Sequence, residues 1–194
     1  SVLAQDSHPG APHIILLPEV TFNQQRFLAK VKKTVKENGF CVVVASEGIK
    51  DAKGKFLAES NSKDAFGHSQ LGGVAPRLAG LINQKLKIKN HWAVADYLQR
   101  SASHLSSGVD RKQAFEVGKK AVKYAAEGMN GVMPIIKRTS NAPYRWQVVP
   151  ERLNKIANVE KKLPASFISK DGFGLTNKAK AYFQPLIEGE VQSR

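Results

Sequence analysis

Four short apolar runs along the chain predict β-strands. They are Ile14 to Leu17, Val42 to Ala45, Trp92 to Ala95 and Val132 to Ile136. The first run lies between two prolines and the second is rich in β-branched residues, which is typical of strands buried on both faces. A further run, Pro143 to Val149, predicts an additional strand in a hairpin-like stretch.

The segments between these runs carry apolar residues at helical spacing. The first predicted helix follows Thr21, which together with Gln24 can form a reciprocal N-terminal cap, and it ends at Gly39. The third predicted helix is capped by Asp110 and continues to about Glu127. The apolar positions are Phe27, Val31 and Val35 in the first helix, Leu78, Leu81, Ile82 and Leu86 in the second, and one side formed by Phe115, Gly118, Val122 and Ala125 in the third. Thr176 to Glu188 predicts a last helix.

The alternation of strands and helices predicts an α/β fold. Right-handed crossovers would build a three-layer structure, in which a largely parallel sheet is covered by helices on both faces. Residues 50–66 are polar and lack periodicity, so they are expected to form a surface excursion. The sequence contains no clear linker, which favours one domain over residues 1–194.

The charge of the chain favours anionic ligands without choosing among them. The 194 residues include 30 Lys and Arg against 16 Asp and Glu, a net charge of +14. No apolar stretch approaches the roughly 20 residues that a membrane-spanning helix needs, so we expect a soluble protein with no membrane partner. Cys41, the single cysteine, lies in an apolar run without an evident activating group, which fits a structural role and a cytoplasmic location.

Candidate chemistry lies at the ends of two predicted strands. Ligands of parallel α/β sheets bind beyond the carboxyl ends of the strands, and Glu19 follows the first strand there. Its carboxylate could accept hydrogen bonds from sugar hydroxyls, or it could cap the following helix. Tyr97 and Arg100, three residues apart after Trp92 to Ala95, could hold a phosphate, or they could be a core tyrosine and a surface arginine.

Other motifs are less informative. The glycine-rich stretch Gly67 to Gly73 lacks the spacing of a phosphate-binding loop and favours close helix packing. The five histidines have no metal-ligand spacing, so no metal site is predicted in this chain. A basic nucleic-acid-binding module stays a hypothesis, motivated by the lysine-rich segments 30–36 and 85–89, but the basic residues are not interleaved with aromatic ones.

At these residues the chain resembles the C-terminal part of the phosphofructokinase family, and the pyrophosphate-dependent branch more than the ATP-dependent one. Several motifs, matching in order over nearly the whole chain, carry the resemblance: Ile14 to Glu19, Gly67 to Gly73, Asp96 to Arg100, Asn158 to Lys162 and Pro185 to Glu190. The resemblance implies a phosphofructokinase-like C-terminal α/β domain. It also implies a phosphotransferase that converts fructose 6-phosphate to fructose 1,6-bisphosphate in glycolysis.

The family's motifs imply particular roles. The resemblance assigns sugar binding to Glu19 and binding of the 6-phosphate to Tyr97 and Arg100, with Leu98 and Gln99 between them. ATP-dependent relatives usually have His at the position of Tyr97, so the tyrosine favours diphosphate as the phosphoryl donor. The family also implies Mg²⁺ for the full enzyme and a homodimer or homotetramer.

Three family motifs are missing from this sequence: the Gly-Gly-Asp segment, the catalytic loop with the general base and the metal-binding aspartate, and the Met-Gly-Arg motif. All three lie upstream of the region of resemblance in the family. The chain is therefore interpreted as a C-terminal fragment, in which we expect no catalytic residue and no ligand to Mg²⁺. We expect it to be inactive alone, since phosphoryl transfer needs these parts. A regulatory sugar-phosphate-binding domain remains the main alternative, because the same groups could bind a regulatory sugar phosphate.

Overall fold

The computed structural model describes residues 2–6, 10–63, 69–71, 73–95, 101–102, 104 and 106–189. Its backbone forms two compact units. Unit 1 consists of residues 1–96 and 163–180, and unit 2 consists of residues 97–162 and 181–194. A division into compact units does not fix the number of domains, so the single domain over residues 1–194 stays a prediction.

Unit 1 is built on a parallel pair of strands connected by a helix. Strand β1 (Ile14–Leu16) pairs with β2 (Val43–Ala45), and α1 (Gln24–Asn38) connects them. All three residues of β1 are buried, as its continuous apolar sequence predicts. The predicted α/β class is confirmed, and this pair is its parallel part within the described residues.

The N-cap of helix α1 lies two residues after Thr21, the predicted cap residue. Asn23 is its N-cap, and the Oδ1 atom of Asn23 accepts a hydrogen bond from the backbone N–H of Arg26 at 3.0 Å. The predicted cap between Thr21 and Gln24 is therefore wrong, because Asn23 caps the helix and Gln24 is its first residue. The predicted end is confirmed, since Gly39 has a φ of 81° and its N–H donates to the carbonyl of Val35.

Residues 50–71 contain more regular structure than their polar sequence predicts. Strand β3 (Glu59–Lys63) lies within residues 50–66, where only a surface excursion was expected, and it pairs antiparallel with β4 (Ser69–Leu71). Helix α2 (Val74–Leu86) follows, as predicted, and buries Leu78 and Ile82.

The apolar core of unit 1 joins β1, α1, α2 and the segment around residue 57. Its buried members are Ile14, Leu16, Phe27, Val31, Ile49, Leu57, Ala58, Val74, Leu78 and Ile82. Phe27, Ile14 and Ile49 are the largest side chains that are fully buried. The hydrophobic positions predicted for the first two helices are thus the ones that build this core.

Residues 163–180 complete unit 1. A 3₁₀ helix, Ala165–Phe167, precedes a tight loop that is closed by an antiparallel bridge between Ile168 and Leu175. The carbonyl of Phe173 in this loop accepts a hydrogen bond from the N–H of Ile15 at 2.8 Å, so the loop attaches directly to β1.

Unit 2 combines a long helix with a hairpin. Helix α3 (Gly108–Ala126) contacts the antiparallel pair β5 (Val132–Asn141) and β6 (Tyr144–Arg152). The guanidinium of Arg138 lies 4.6 Å from the ring of Tyr144 and 4.3 Å from the ring of Tyr182, and its Nη1 donates to the carbonyl of Tyr182. Gln113, buried on α3, donates to the hydroxyl of Tyr144 at 2.7 Å. Polar and aromatic contacts therefore connect the elements of this unit.

Three further predictions need correction. Trp92 to Ala95 is irregular and not a strand, and Trp92 and Val94 are 57% and 51% exposed, so these apolar residues do not enter a sheet. The cap of α3 is Ser107 and not Asp110, because the Ser107 hydroxyl accepts from the N–H of Asp110. The predicted last helix is α4 (Asn177–Phe183) followed by a 3₁₀ turn, Gln184–Ile187, where Pro185 lacks the N–H that an α-helix needs.

None of the helices in the described part of the chain combines the length and the apolar character that a membrane crossing requires.

The core position of Phe27 gives a first testable prediction. Phe27→Ala should lower the free energy of unfolding by about 3–5 kcal/mol, because the ring is fully buried and its removal leaves a cavity. Urea unfolding followed by circular dichroism measures this loss. Gln25→Ala, at an exposed position of the same helix, should change the value by less than about 0.5 kcal/mol. Equal effects of the two substitutions would contradict the assigned core.

Candidate functional site

The carboxyl ends of β1 and β2 lie side by side, because the two strands are parallel and in register from Ile14 with Val43 to Leu16 with Ala45. The ladder continues one step further, since the N–H of Ser46 donates to the carbonyl of Leu16 at 3.1 Å. The turns after both strands are also in contact: a Cβ atom added to Gly48 would lie 3.2 Å from the Cβ of Pro18. This edge is therefore where a ligand of an α/β sheet is expected.

Glu19 lies in the turn after β1, as the sequence predicts. Its Oε1 atom accepts a hydrogen bond from the backbone N–H of Leu163 at 2.8 Å. Its Oε2 atom is buried and has no hydrogen-bond partner among the described residues. A buried carboxylate oxygen without a donor is costly, so this atom is a free acceptor for a hydroxyl group.

The alternative role of Glu19, capping of the following helix, is wrong. Asn23 caps α1, and the carboxylate of Glu19 binds the N–H of Leu163 instead. The long-range contact, across 144 positions of sequence, holds the start of the segment 163–180 against the turn after β1.

Glu47 is a second carboxylate at this edge, and the sequence reasoning missed it. It lies two residues after β2, in the turn that contacts Pro18, and it is exposed. The signal was present in the sequence, because Glu47 follows an apolar strand just as Glu19 does. The two carboxylates at this edge therefore differ in their exposure to solvent: Glu47 is exposed and Glu19 is half-buried.

The loop at residues 169–174 is held to α1 by Asp171. The Oδ1 atom of Asp171 accepts from the hydroxyl of Ser169 at 2.7 Å and from the N–H of Phe173 at 3.1 Å, and its Oδ2 atom pairs with the Lys30 ammonium at 2.9 Å. Arg26 also donates to the carbonyl of Asp171. Partial burial opposes ionisation of Asp171, but the bonds from Ser169, Lys30 and Phe173 outweigh it and lower the pKa to about 2.

The phosphate-binding residues predicted from the sequence, Tyr97, Leu98, Gln99 and Arg100, lie outside the described residues. The same holds for part of the glycine-rich stretch, namely residues 67, 68 and 72. Their predicted roles, and the convergence of Tyr97 and Arg100 with Glu19 on one ligand, stay predictions.

Neither metal chemistry nor thiol chemistry is evident where the structure describes the chain. No group of three or more His, Cys, Asp or Glu side chains there could hold a metal ion. Cys41 is half-buried, and burial raises the pKa of its thiol, against weaker effects of a hydrogen bond with Thr34 and the charge of Lys30. A raised pKa keeps the thiol protonated near neutral pH, which fits a structural cysteine.

Comparison with known proteins places this site in a family. The family model described as phosphofructokinase matches residues 6–125. The chain is 58% identical over 190 residues to a pyrophosphate-fructose 6-phosphate 1-phosphotransferase from Xanthomonas campestris pv. campestris, covering 97% of this chain and 46% of that protein. A protein of the same name from Methylococcus capsulatus is 53% identical, with 97% and 45% covered.

Two solved structures agree with this assignment. The pyrophosphate-dependent phosphofructokinase from Marinobacter aquaeolei matches 100% of this chain and 45% of its own, with 43% identity and a TM-score of 0.79. The one from Nitrosospira multiformis matches 94% of this chain and 42% of its own, with 47% identity and a TM-score of 0.77.

The chain belongs to the phosphofructokinase family, as its motifs indicate. The names of these relatives specify pyrophosphate. It spans slightly less than half the length of the curated relatives that it matches.

The pKa of Asp171 predicts how acid affects unit 1. Because folding lowers this pKa from its ordinary 3.8 to about 2, the stabilising contribution of the carboxylate is complete above about pH 4 and is lost as the pH falls towards 2. The gain is at most about 1 kcal/mol, since the side chain is half exposed and solvent screens it.

Asp171→Asn should therefore lower the free energy of urea unfolding at pH 7 and reduce its decrease between pH 4 and pH 2. Asp51→Asn is the control, because the Asp51 carboxylate likewise accepts backbone N–H bonds in a loop, from Lys53 and Lys55. If the two variants follow the same pH profile, the assigned role of Asp171 is wrong.

Proposed function

We propose that this chain is the substrate-binding half of a pyrophosphate-dependent 6-phosphofructokinase. The full protein would transfer a phosphoryl group from diphosphate to fructose 6-phosphate, forming fructose 1,6-bisphosphate in cytoplasmic glycolysis. The observation that carries the proposal is the carboxyl edge of β1 and β2, where one oxygen of Glu19 is buried and has no hydrogen-bond partner in the described part of the chain. The names of the relatives described above specify pyrophosphate, which supports the choice of diphosphate as donor.

The proposed roles follow from the chemistry of each group. Glu19 would accept a hydrogen bond from a sugar hydroxyl through Oε2, while the bond from Leu163 to Oε1 fixes the orientation of the carboxylate. Arg100 would hold the 6-phosphate by paired N–H donors and Tyr97 by its hydroxyl, with Leu98 and Gln99 between them. The exposed Glu47 is the other carboxylate that could reach the sugar at this edge.

The reaction itself needs further parts. Phosphoryl transfer requires a base on the attacking hydroxyl and neutralisation of the phosphate charges, which Mg²⁺ would supply when bound. In this proposal the base and the ligands of Mg²⁺ belong to the remainder of the full protein, and the isolated chain is inactive. The full protein would be a homodimer or homotetramer. The high positive charge, 30 basic against 16 acidic residues, would favour approach of the two anionic substrates.

The alternative of a regulatory sugar-phosphate-binding domain uses the same edge and the same residues. It differs in one outcome, since a regulatory domain would bind fructose 6-phosphate without being required for its turnover. No contact or cluster in the described residues favours the nucleic-acid-binding alternative.

Activity of the full protein tests the proposal. We expect the full-length protein to convert fructose 6-phosphate when diphosphate and Mg²⁺ are supplied, in an assay coupled to aldolase, and the 194-residue chain to show only background. Turnover with ATP and none with diphosphate would contradict the proposed donor. Turnover by the isolated chain would contradict its proposed inactivity.

Three substitutions in the full-length protein test the site. Arg100→Ala should raise the KM for fructose 6-phosphate roughly 10- to 100-fold, because charge-assisted bonds to phosphate contribute about 1.5–3 kcal/mol. Glu19→Gln keeps one acceptor oxygen and should raise the same KM roughly tenfold. Glu47→Gln is the matched comparison at the same edge, with an unchanged KM expected. If Glu47→Gln raises the KM and Glu19→Gln only lowers stability, the sugar contact belongs to Glu47 and Glu19 is a positioning residue.

A further inference from the structure

A cleft of about 530 Å³ opens in unit 1, between the start of α1, the loop at residues 51–57 and helix α2. Its volume falls within the range of about 300–1,000 Å³ that is typical of small-molecule sites. The residues that line it have no part in the function proposed above. They are therefore available to bind a different ligand.

Buried core residues and aromatic rings line this cleft. Leu57 and Leu78 belong to the buried core of unit 1. Phe22 and Leu81 are partly buried and pack against the same core, and Phe56 contributes a second ring to the lining. Aromatic and aliphatic side chains around a concave surface suit a ligand with a planar apolar ring.

Hydrogen bonds hold the walls of the cleft in place. The loop at residues 51–57 is closed by an antiparallel bridge between Lys50 and Phe56. The N–H of Phe22 donates to the carbonyl of Lys50 at 2.8 Å, and the ammonium of Lys50 lies 4.5 Å from the centre of the Phe56 ring. Both rings are thus held by the same residue, so the cleft is formed before a ligand binds and ordering it costs little free energy.

A guanidinium gives the cleft a preference for anionic groups. Arg77 on α2 lines the cleft, and its Nη1 donates to the carbonyl of Leu57 at 2.6 Å. That bond anchors the side chain, and the remaining N–H donors can bind a carboxylate or a phosphate as a pair. Lys55 adds a second positive charge, while the carboxylate of Asp51 accepts the backbone N–H bonds of Lys53 and Lys55. Arg77 and Lys55 together therefore outweigh the charge of Asp51.

We propose that this cleft binds an aromatic organic anion, with its ring against Phe22 and Phe56 and its carboxylate or phosphate on Arg77. The amide groups of Gln24 and Gln84, which also line the cleft, would bind polar substituents of the ring. A neutral aromatic compound lacks a charge for the guanidinium, and a simple anion leaves the rings uncovered. Both should therefore bind more weakly than a molecule that combines the two groups.

Isothermal titration calorimetry of the full-length protein tests the site. The probe is 1-naphthyl phosphate, and excess fructose 6-phosphate is present to occupy the proposed substrate site. Naphthol, which lacks the anionic group, and inorganic phosphate, which lacks the ring, should each bind at least about tenfold more weakly than the probe. Naphthoate distinguishes a carboxylate ligand from a phosphate ligand, and tighter binding of either aromatic anion supports the site.

Two substitutions locate the bound probe. Arg77→Ala should weaken its binding roughly tenfold or more, because the charge-assisted bonds to the anionic group are lost. Leu81→Trp should abolish binding, because the larger side chain fills the cleft. Lys53→Ala is the matched control: Lys53 is exposed in the same loop and is not part of the lining, so the affinity should stay within about twofold.

Several results would overturn the proposal. Binding that survives both Arg77→Ala and Leu81→Trp would assign the probe to another surface. No binding at millimolar concentrations of the probe would contradict the site itself, and an equal affinity for naphthol or for inorganic phosphate would contradict the proposed class of ligand. Since the two substitutions alter different walls, either variant decides the matter if the other fails to fold. The assay measures binding and not turnover, so this site and the proposed reaction can fail independently.

Discussion

The parallel pairing of β1 with β2 is the constraint on which the candidate site depends. A parallel pair brings both carboxyl ends to one edge, so the turns that contain Glu19 and Glu47 become neighbours although 28 residues separate them in sequence. The complete burial of β1 fixes its register, because a shift by one residue would change every contact of the strand with the core. The packing of β1 in the core therefore also fixes the position of this edge.

Residues 163–180 show how a distant segment supports this edge. Glu19 accepts a bond from Leu163, Ile15 donates to Phe173, and Asp171 pairs with Lys30 on α1. These bonds attach the segment to the strand, to its following turn and to the helix behind it. One oxygen of Glu19 accepts the bond from Leu163, which orients the carboxylate. The other oxygen has no hydrogen-bond partner among the described residues. Structural support thus uses one of the two oxygens of this side chain.

The sequence predicted best where local pattern and burial agree. β1, α1 and α2 were recognised because their apolar residues, such as Phe27 and Ile82, enter the core at the predicted spacing. The prediction of a strand at Trp92 to Ala95 was wrong, since an apolar run does not form a strand without a neighbouring strand to pair with. The bond from Leu163 to Glu19 could not be predicted, because it depends on tertiary contact across 144 positions.

The two units are stabilised by different kinds of contact. Unit 1 has a buried core from β1, α1 and α2, so its stability depends on contacts that this sequence supplies. Unit 2 has the Arg138 contacts with Tyr144 and Tyr182, whereas Phe115 and Val122 on α3 are exposed. Because apolar surface exposed to water lowers stability in proportion to its area, unit 2 obtains less of its stability from apolar burial than unit 1 does.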